Sequence, residues 1–189
     1  MKIGILGGSF NPPHKMHKKI ALELIAKKYV DKVIFVPTGD AYPKPNLVSA
    51  KERCEMVKRM IRGNHHLEVS DFECKNGRKY TYETICYFKD KYKEDTIYFI
   101  VGLDNVKELP TWKNYQFLLA FPFIALDRGQ EKVEDFVKKK NYTNIIVAPI
   151  VTEDISSTQI RKCIKNNKPY IQYIDPSVYE YIEEHNLYQ

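Results

Sequence analysis

Short apolar runs alternate with longer segments of helical periodicity, and this alternation constrains the fold more than any other feature of the chain. The runs are rich in β-branched and aromatic residues, and they predict strands at 2–6, 32–37, 96–101, 122–126 and 144–149. A weaker alternation predicts a strand or a sheet edge at 67–74. The remaining segments predict helices at 14–28, 50–61, 82–92, 104–109, 114–119 and 131–140.

Strands and helices that alternate in this way are typical of an α/β fold, here a doubly wound, Rossmann-like parallel sheet with helices on both faces. No repeat, low-complexity segment or linker divides the chain, so we expect a single domain over residues 1–189. Residues 156–189 have a mostly helical pattern, broken near Pro169 and Pro176, and predict a small C-terminal helical region. In such a sheet, ligands bind beyond the carboxyl ends of the strands, where the strand order reverses.

The net charge is +6 and the pI is near 9, which favours an anionic partner, either nucleic acid or a small molecule rich in phosphate. The lysines are spread over several short segments, which weighs against nucleic acid. No apolar run approaches the ~20 residues of a membrane span, and the N-terminus lacks the apolar core of a signal peptide. We therefore expect a cytoplasmic protein with no membrane partner, and the sequence leaves open whether it forms a homo-oligomer.

The four cysteines are widely spaced, at Cys54, Cys74, Cys86 and Cys163. None forms a C-x-x-C pair, so neither a zinc site nor a disulfide framework is expected. The spacing favours buried or idle thiols.

A glycine-rich turn directly follows the first predicted strand. Gly7 and Gly8 permit a positive φ and a close approach of the backbone to a ligand, and Pro12 and Pro13 suit the first turn of a helix. The start of that helix offers free N–H groups and the positive end of its dipole. The segment therefore predicts an anion site, although many α/β proteins carry two glycines in this place.

Two histidines lie at the start of the same helix. At about 100° per residue, His14 and His17 are about 60° apart on one side of the first turn, and His17 lies on the arc of Ile20, Ala21 and Leu24 that faces the sheet. A lone histidine in this position is usually an interior residue with satisfied hydrogen bonds, but a pair beside a glycine turn favours a functional role. A metal site would need a third ligand, and none is evident nearby.

The segment GGSFNPPHKMH at 7–17 resembles the H-x-G-H motif of the nucleotidyltransferase superfamily, whose usual bacterial form is G-G-[TS]-F-D-P-x-H-x-G-H. ISSTQIR at 155–161 is similar to a second motif of that superfamily. Between them, VGLDN at 101–105 and LPTWKNY at 109–115 have the order found in the nicotinate mononucleotide adenylyltransferases of NAD synthesis. The ending DPSVYEYIEEHNLY is similar to the C-terminal helix of that family, so the resemblance spans the whole chain.

Two positions and one loop depart from the bacterial pattern. Asn11 and Met16 replace its usual Asp and Gly, and the loop TGDAYPKPN at 38–46 lacks the P-P-H-[KR] of bacterial members. Because that loop helps the family to select the pyridine carboxylate, the resemblance leaves open whether the acid or the amide mononucleotide is preferred.

The resemblance implies an in-line attack by a phosphate oxygen of nicotinate mononucleotide on the α-phosphorus of ATP, which releases pyrophosphate. The product would be deamido-NAD, or NAD where nicotinamide mononucleotide also serves. A phosphate monoester has its second pKa at ~6, so the nucleophile is already ionised and needs no general base. Catalysis then depends on positioning and charge neutralisation. Mg²⁺ is expected to arrive with ATP, since no carboxylate cluster is visible.

The resemblance also implies three groups of residues. The catalytic group is His14, His17 and Arg161. The ATP-binding group is Gly7, Gly8, Ser9, Phe10, Gly102, Asp104, Ile155, Ser156, Ser157 and Thr158. The pyridine nucleotide-binding group is Asn11, Lys44, Thr81, Thr84, Trp112 and Arg128, of which Lys44 could also meet the triphosphate.

Ordinary structural roles are open for several of these residues. Trp112 could be a core aromatic, Asp104 and Thr81 could be helix caps, and Arg161 could be a surface residue on a capped helix. Two other functions are also open. One is a related transferase with another phosphate acceptor, such as a phosphopantetheine adenylyltransferase or a cytidylyltransferase. The other is a nucleotide- or RNA-binding module without activity.

Overall fold

A computed structural model describes residues 1–41, 44–77, 79–127, 133–150 and 153–189. Within these ranges the strands are β1 (Lys2–Gly8), β2 (Lys32–Pro37), β3 (Leu67–Val69), β4 (Thr96–Gly102), β5 (Phe123–Asp127) and β6 (Ile145–Pro149). They form one parallel sheet in the order β3-β2-β1-β4-β5-β6. The order reverses between β1 and β4, so the carboxyl ends of these two strands flank the usual ligand position.

The helices lie between the strands and after β6. They are α1 (Lys15–Ala26), α2 (Ala50–Ile61), α3 (Phe72–Lys75), α4 (Thr81–Lys91), α5 (Leu103–Glu108), α6 (Tyr115–Leu118), α7 (Val133–Lys139), α8 (Ser157–Lys165) and α9 (Pro176–Glu184). Short 3₁₀ turns occupy Leu109–Thr111 and Ile171–Tyr173. Within the described ranges, no helix combines the length and the apolar character needed to cross a bilayer.

The side chains of the strands point alternately into two apolar layers, one on each face of the sheet. In β2, Val33 and Phe35 are buried in the first layer, and Ile34 and Val36 are buried in the second. The first layer holds buried side chains of α1, α2, α8 and α9, and the second holds those of α4, α5 and α7. The predicted doubly wound α/β fold is therefore confirmed.

The predicted strand at 67–74 is only partly correct, because β3 ends at Val69 and α3 follows. The Ser70 hydroxyl accepts a hydrogen bond from the N–H of Phe72 at 3.3 Å, and Lys75 pairs with Asp71 one helical turn earlier at 2.7 Å. These local bonds favour a turn of helix over a continued strand.

The last helix, α9, packs on α2. The Tyr181 hydroxyl donates to Glu52 at 2.5 Å, and the Ser177 hydroxyl donates to the carbonyl of Arg59 at 3.2 Å. Pro176, which the sequence marks as a break, is the first residue of α9, a position where its fixed φ suits a helix.

Candidate active site

The two glycines that follow the first predicted strand belong to β1 itself. Gly7 and Gly8 pair in register with Val36 and Pro37, and the left-handed residue of the turn is Phe10, with φ of 46°. The expectation that the glycines supply a positive φ was therefore wrong. Space is tight at Gly8 instead, because a β-carbon there would lie 3.1 Å from the buried ring of Phe10, which would have to shift by a few tenths of an ångström.

The histidine pair forms the entry to α1. His14 is the N-cap residue, so the helix begins one residue later than predicted. The N–H of His14 donates to Nδ1 of His17 at 3.1 Å, and the two ring centroids are 3.7 Å apart. Since Nδ1 of His17 is an acceptor, its ring proton lies on Nε2, where it can be donated to a phosphate oxygen.

The two sequence motifs lie in contact although about 150 residues separate them. Nη1 of Arg161 donates to the carbonyl of Asn11 at 2.7 Å, and the hydroxyl of Ser157 donates to the carbonyl of Pro12 at 2.8 Å. The N-terminus of α8 is thereby fixed against the turn that leads into α1. The starts of two helices, and with them the positive ends of two helix dipoles, therefore lie beside the same turn.

The hydroxyls at the start of α8 have separate partners. Ser156 is the N-cap and accepts from the N–H of Gln159 at 3.1 Å, whereas Thr158 accepts from Nη2 of Arg161 at 3.3 Å. Ile155 is half-buried against the first apolar layer. The cap and the arginine contact hold the guanidinium beside the turn, where it retains further N–H donors.

Asn11 supports the turn from inside the protein. Its side chain is 1% exposed; Nδ2 donates to the carbonyl of Asn46 at 2.7 Å, and Oδ1 accepts from the N–H of Val48 at 3.2 Å and from the Tyr188 hydroxyl at 3.0 Å. These bonds connect the turn to the loop before α2 and to the last residues of the chain. The predicted contact between Asn11 and the pyridine nucleotide stays a prediction.

Arg53 is a buried support that the sequence did not assign to the site. Its guanidinium group, 0% exposed, donates to the carbonyls of Ser9 and Val48, both at 2.9 Å. It also reaches the hydroxyl of Thr38 at 3.3 Å and Asp40 at 3.4 Å. One signal was present: Arg53 shares the buried face of α2 with apolar residues at helical spacing.

Positive charge is concentrated around this turn. Nζ of Lys44 donates to the hydroxyl of Ser9 at 3.0 Å. Burial lowers the pKa of Lys44, and the charges of Arg161 and Arg53 lower it further. Three cations that repel one another beside two helix N-termini form a site that an anion would stabilise.

Trp112 lies beyond the carboxyl end of β4 and is half-buried. Its ring is edge-on to that of Phe99, with the ring centroids 6.5 Å apart, and Nζ of the adjacent Lys113 lies 4.4 Å from the ring centre of Tyr80. Thr81 is the first residue of α4 and Tyr80 is the N-cap, so the alternative of Thr81 as a cap was wrong. The predicted pyridine contacts of Thr81 and Trp112 stay predictions.

Thr84 is fully buried and donates its hydroxyl to Oε1 of Glu73 at 2.7 Å. Burial raises the pKa of Glu73 to about 7, and the charge of Glu83 acts in the same direction, whereas the bond from Thr84 opposes it. The predicted contact of Thr84 with the pyridine nucleotide requires that this pair open toward the ligand.

Gly102 and Asp104 lie where β4 leads into α5. Gly102 is the N-cap, so the alternative of Asp104 as the cap was wrong; Asp104 is an exposed acid in the first turn. β1 and β4 are neighbours, paired up to Leu6 and Ile100, so this start of a helix and the glycine turn lie at the same edge of the sheet. Arg128 lies outside the described residues. No cluster of three or more His, Cys, Asp or Glu suited to a metal ion is found in the described part of the chain.

Comparisons with known proteins agree with this geometry. A family described as cytidylyltransferase-like matches residues 5–163. A relative from Clostridium novyi (strain NT) is 37% identical and aligns over 100% of this chain and 99% of its own. One from Fusobacterium nucleatum subsp. nucleatum is 36% identical over 97% of this chain and 98% of its own. Both relatives are named as probable nicotinate-nucleotide adenylyltransferases.

Solved structures show the same fold. The Plasmodium falciparum nicotinic acid mononucleotide adenylyltransferase complexed with NaAD has a TM-score of 0.85 and 24% identity, with 99% of this chain and 97% of that chain covered. The same enzyme complexed with APC gives a TM-score of 0.83 at 23% identity, with 99% and 96% covered. On its full-length similarity to the bacterial relatives, the chain belongs to the cytidylyltransferase-like nucleotidyltransferases and, within them, to the nicotinate-nucleotide adenylyltransferase family.

Proposed function

We propose that the protein transfers the adenylyl group of ATP to nicotinate mononucleotide and releases deamido-NAD and pyrophosphate. The observation that carries the proposal is the contact between the two motifs, in which Arg161 and Ser157 bond to the carbonyls of Asn11 and Pro12 beside the histidine pair. This contact supports one phosphate site built from both ends of the chain.

The reaction is a displacement at phosphorus. A phosphate oxygen of the mononucleotide forms a bond to the α-phosphorus of ATP, and the bond from that phosphorus to the bridging oxygen of pyrophosphate breaks. The nucleophile is ionised at neutral pH, so the protein supplies position and positive charge rather than a base. Nε2–H of His17, the guanidinium of Arg161 and the N–H groups at the start of α8 are the donors that we assign to the phosphates.

We infer that Mg²⁺ enters as part of the MgATP substrate. The donors around the turn are nitrogen groups and hydroxyls, which suit phosphate oxygens, whereas Mg²⁺ prefers carboxylate and phosphate oxygens. The ion would neutralise charge on the triphosphate. An enzyme that uses ATP as a substrate is expected in the cytoplasm. Size-exclusion chromatography would measure whether it forms a homo-oligomer.

An acceptor panel tests the proposal. The purified protein is incubated with ATP, Mg²⁺ and one acceptor at a time: nicotinate mononucleotide, nicotinamide mononucleotide or phosphopantetheine. We expect pyrophosphate release with nicotinate mononucleotide, and the ratio of kcat/KM for the two mononucleotides measures the preference that the loop at 38–46 leaves open. Turnover with phosphopantetheine and none with either mononucleotide would overturn the proposal.

A further inference from the structure

Two cysteines that are distant in sequence lie side by side beneath the loop before α2. Sγ of Cys54, in α2, is 2.9 Å from Sγ of Cys74, in α3. A disulfide bond is about 2.05 Å long, so a displacement of roughly 1 Å would bring the two sulfurs to bonding distance. Both residues are free thiols in this structure.

The surroundings of the pair keep both sulfurs in place. Cys54 is 6% exposed, whereas Cys74 is partly exposed. Sγ of Cys74 also lies 3.4 Å from the carbonyl of Pro37 and 3.8 Å from that of Ala50. The described residues offer no cluster of three metal ligands that would make the pair part of a zinc site.

We propose that Cys54 and Cys74 form a reversible redox site, which a peroxide converts from a dithiol to an intramolecular disulfide. Hydrogen peroxide transfers one oxygen to the first thiolate, which gives a sulfenic acid and, after protonation, one water. The second thiol attacks the sulfenic sulfur, the S–S bond forms, and its proton leaves with the hydroxide as a second water. Two thiols and one peroxide thus give one disulfide and two waters, and an added dithiol reverses the change.

Cys54 is the thiol expected to react first. The hydrogen bond with Cys74 lowers the pKa of Cys54, and the charge of Arg53 lowers it further, against the opposing effect of burial. The thiolate is the nucleophile in thiol oxidation, and an adjacent second cysteine captures the sulfenic acid before further oxidation.

The cross-link would act on the segment that carries part of the candidate site. Cys74 contacts Pro37 and Ala50, the two residues that flank the segment 38–49, and a β-carbon at Gly39 would lie 2.5 Å from the carbonyl oxygen of Glu73. Cys54 follows Arg53, which holds the carbonyl of Ser9. A disulfide here would therefore restrain this segment between α2 and α3.

The test uses the full chain with Cys86→Ser and Cys163→Ser, so that the pair supplies the only thiols. The reduced protein is treated with one equivalent of hydrogen peroxide and then analysed by intact mass and by peptide mapping without reductant. We expect a loss of about 2 Da, from two hydrogens, and a cross-linked peptide that joins positions 54 and 74. Dithiothreitol should restore the starting mass. The Tm should rise by about 5–10 °C on oxidation, because the bond closes a loop in the unfolded chain.

The matched control adds Cys74→Ser to the same background, and there we expect oxidation of Cys54 to sulfenic or sulfinic acid without the cross-linked peptide. The natural chain, treated in parallel, should give the same 54–74 peptide. Three results would overturn the proposal: two unmodified thiols after treatment, sulfinic acid at either position in place of the disulfide, or a disulfide between two protein molecules.

Discussion

The turn that follows β1 and the surface around Trp112 lie at the same edge of the sheet, but the first is held by hydrogen bonds and the second mainly by aromatic contacts. At the turn, Asn11 and Arg53 each make three or more bonds to neighbouring groups. Around Trp112, the indole ring packs edge-on against Phe99, and Nζ of Lys113 lies over the ring of Tyr80. Binding a phosphate needs donors at fixed positions, whereas binding a ring needs a surface of the right shape.

The two regions also differ in charge. Lys44, Arg53 and Arg161 lie close enough that the arginine charges lower the pKa of the lysine. On the other side, the acid Glu73 is buried behind Thr84 and its pKa is raised to about 7. In the function that we propose, charge would define the triphosphate side, whereas buried polar contacts and aromatic shape would define the acceptor side. Four substitutions test this contrast, beginning with the largest expected effect.

His17→Ala should reduce kcat by two to three decades, or roughly 3–4 kcal/mol of transition-state stabilisation, while the KM for both substrates changes little. The reason is that the variant loses the Nε2–H donor assigned to the reacting phosphates. Steady-state pyrophosphate release with saturating MgATP measures the change.

His65→Ala is the matched control for this variant, because His65 is exposed and lies before β3. Its kcat should match that of the unsubstituted protein. Full activity of His17→Ala, with both variants folded, would remove the histidine from the catalytic group.

Arg53→Met should lower the free energy of unfolding by about 2–4 kcal/mol, because the carbonyls of Ser9 and Val48 lose a buried charged donor. The turn after β1 should also become less rigid, because it loses the bond to the carbonyl of Ser9. We therefore expect kcat to fall together with the free energy of unfolding. Urea denaturation followed by circular dichroism measures the first effect. Lys51→Met, at an exposed position of the same helix, is the control and should change the stability by less than about 0.5 kcal/mol. A similar, small loss in both variants would mean that the turn does not depend on the buried guanidinium.

Glu73→Gln tests the buried acid through the pH dependence of stability. The pKa of Glu73 is raised from 4.5 to about 7, so the folded protein holds more protons than the unfolded chain in this interval. Stability should therefore be greatest below pH 4.5 as far as this group is concerned, and should fall as the pH rises toward 7. Glutamine keeps an acceptor for Thr84 without the charge, so the variant should be more stable than the natural protein at pH 8 by about 1–3 kcal/mol.

The difference between Glu73→Gln and the natural protein should shrink as the pH is lowered toward 4.5, and thermal unfolding at several pH values measures it. Glu180→Gln, at an exposed position of α9, serves as the control and should show a much smaller dependence. A gap that is constant with pH would show that Glu73 is not a buried acid that titrates on folding.

Sequence patterns predicted those parts of the molecule that local chemistry determines. Five of the six strands are apolar runs, and the residues from Gly7 to His17 carry the motif because the turn and the helix start need particular residue types. The strand predicted at 67–74 failed in its second half, since Phe72 and Cys74 alternate like strand residues but lie in a helical turn held by Ser70 and Asp71.

The supports beneath the site could not be predicted because they depend on which helices meet. Arg53 and Cys54 are adjacent in α2, yet their partners are Ser9 and Cys74, which only the packing of the loop and of α3 brings near. Asn11 lies within the first motif, where it replaces the usual Asp, but its bond to Tyr188 joins positions 177 residues apart. A motif indicates which groups face the ligand, but it does not indicate which residues elsewhere in the chain hold those groups in position.

Tyr188→Phe should have the smallest effect of the four, a loss of about 0.5–1.5 kcal/mol in the free energy of unfolding. The ring stays, and Oδ1 of Asn11 keeps the N–H of Val48 as a donor. Tyr173→Phe, which removes a hydroxyl elsewhere in the C-terminal region, is the control. A double-mutant cycle with Asn11→Ala then decides whether the chain end supports the turn, because the hydroxyl has no carboxamide to bond once Asn11 is replaced. We expect a coupling energy of about 1 kcal/mol between the two sites. Strict additivity would place the last residues of the chain outside the support of the phosphate side, whose turn would then be held by the bonds of Arg53, Arg161, Ser157 and Lys44 and by those of Asn11 to Asn46 and Val48.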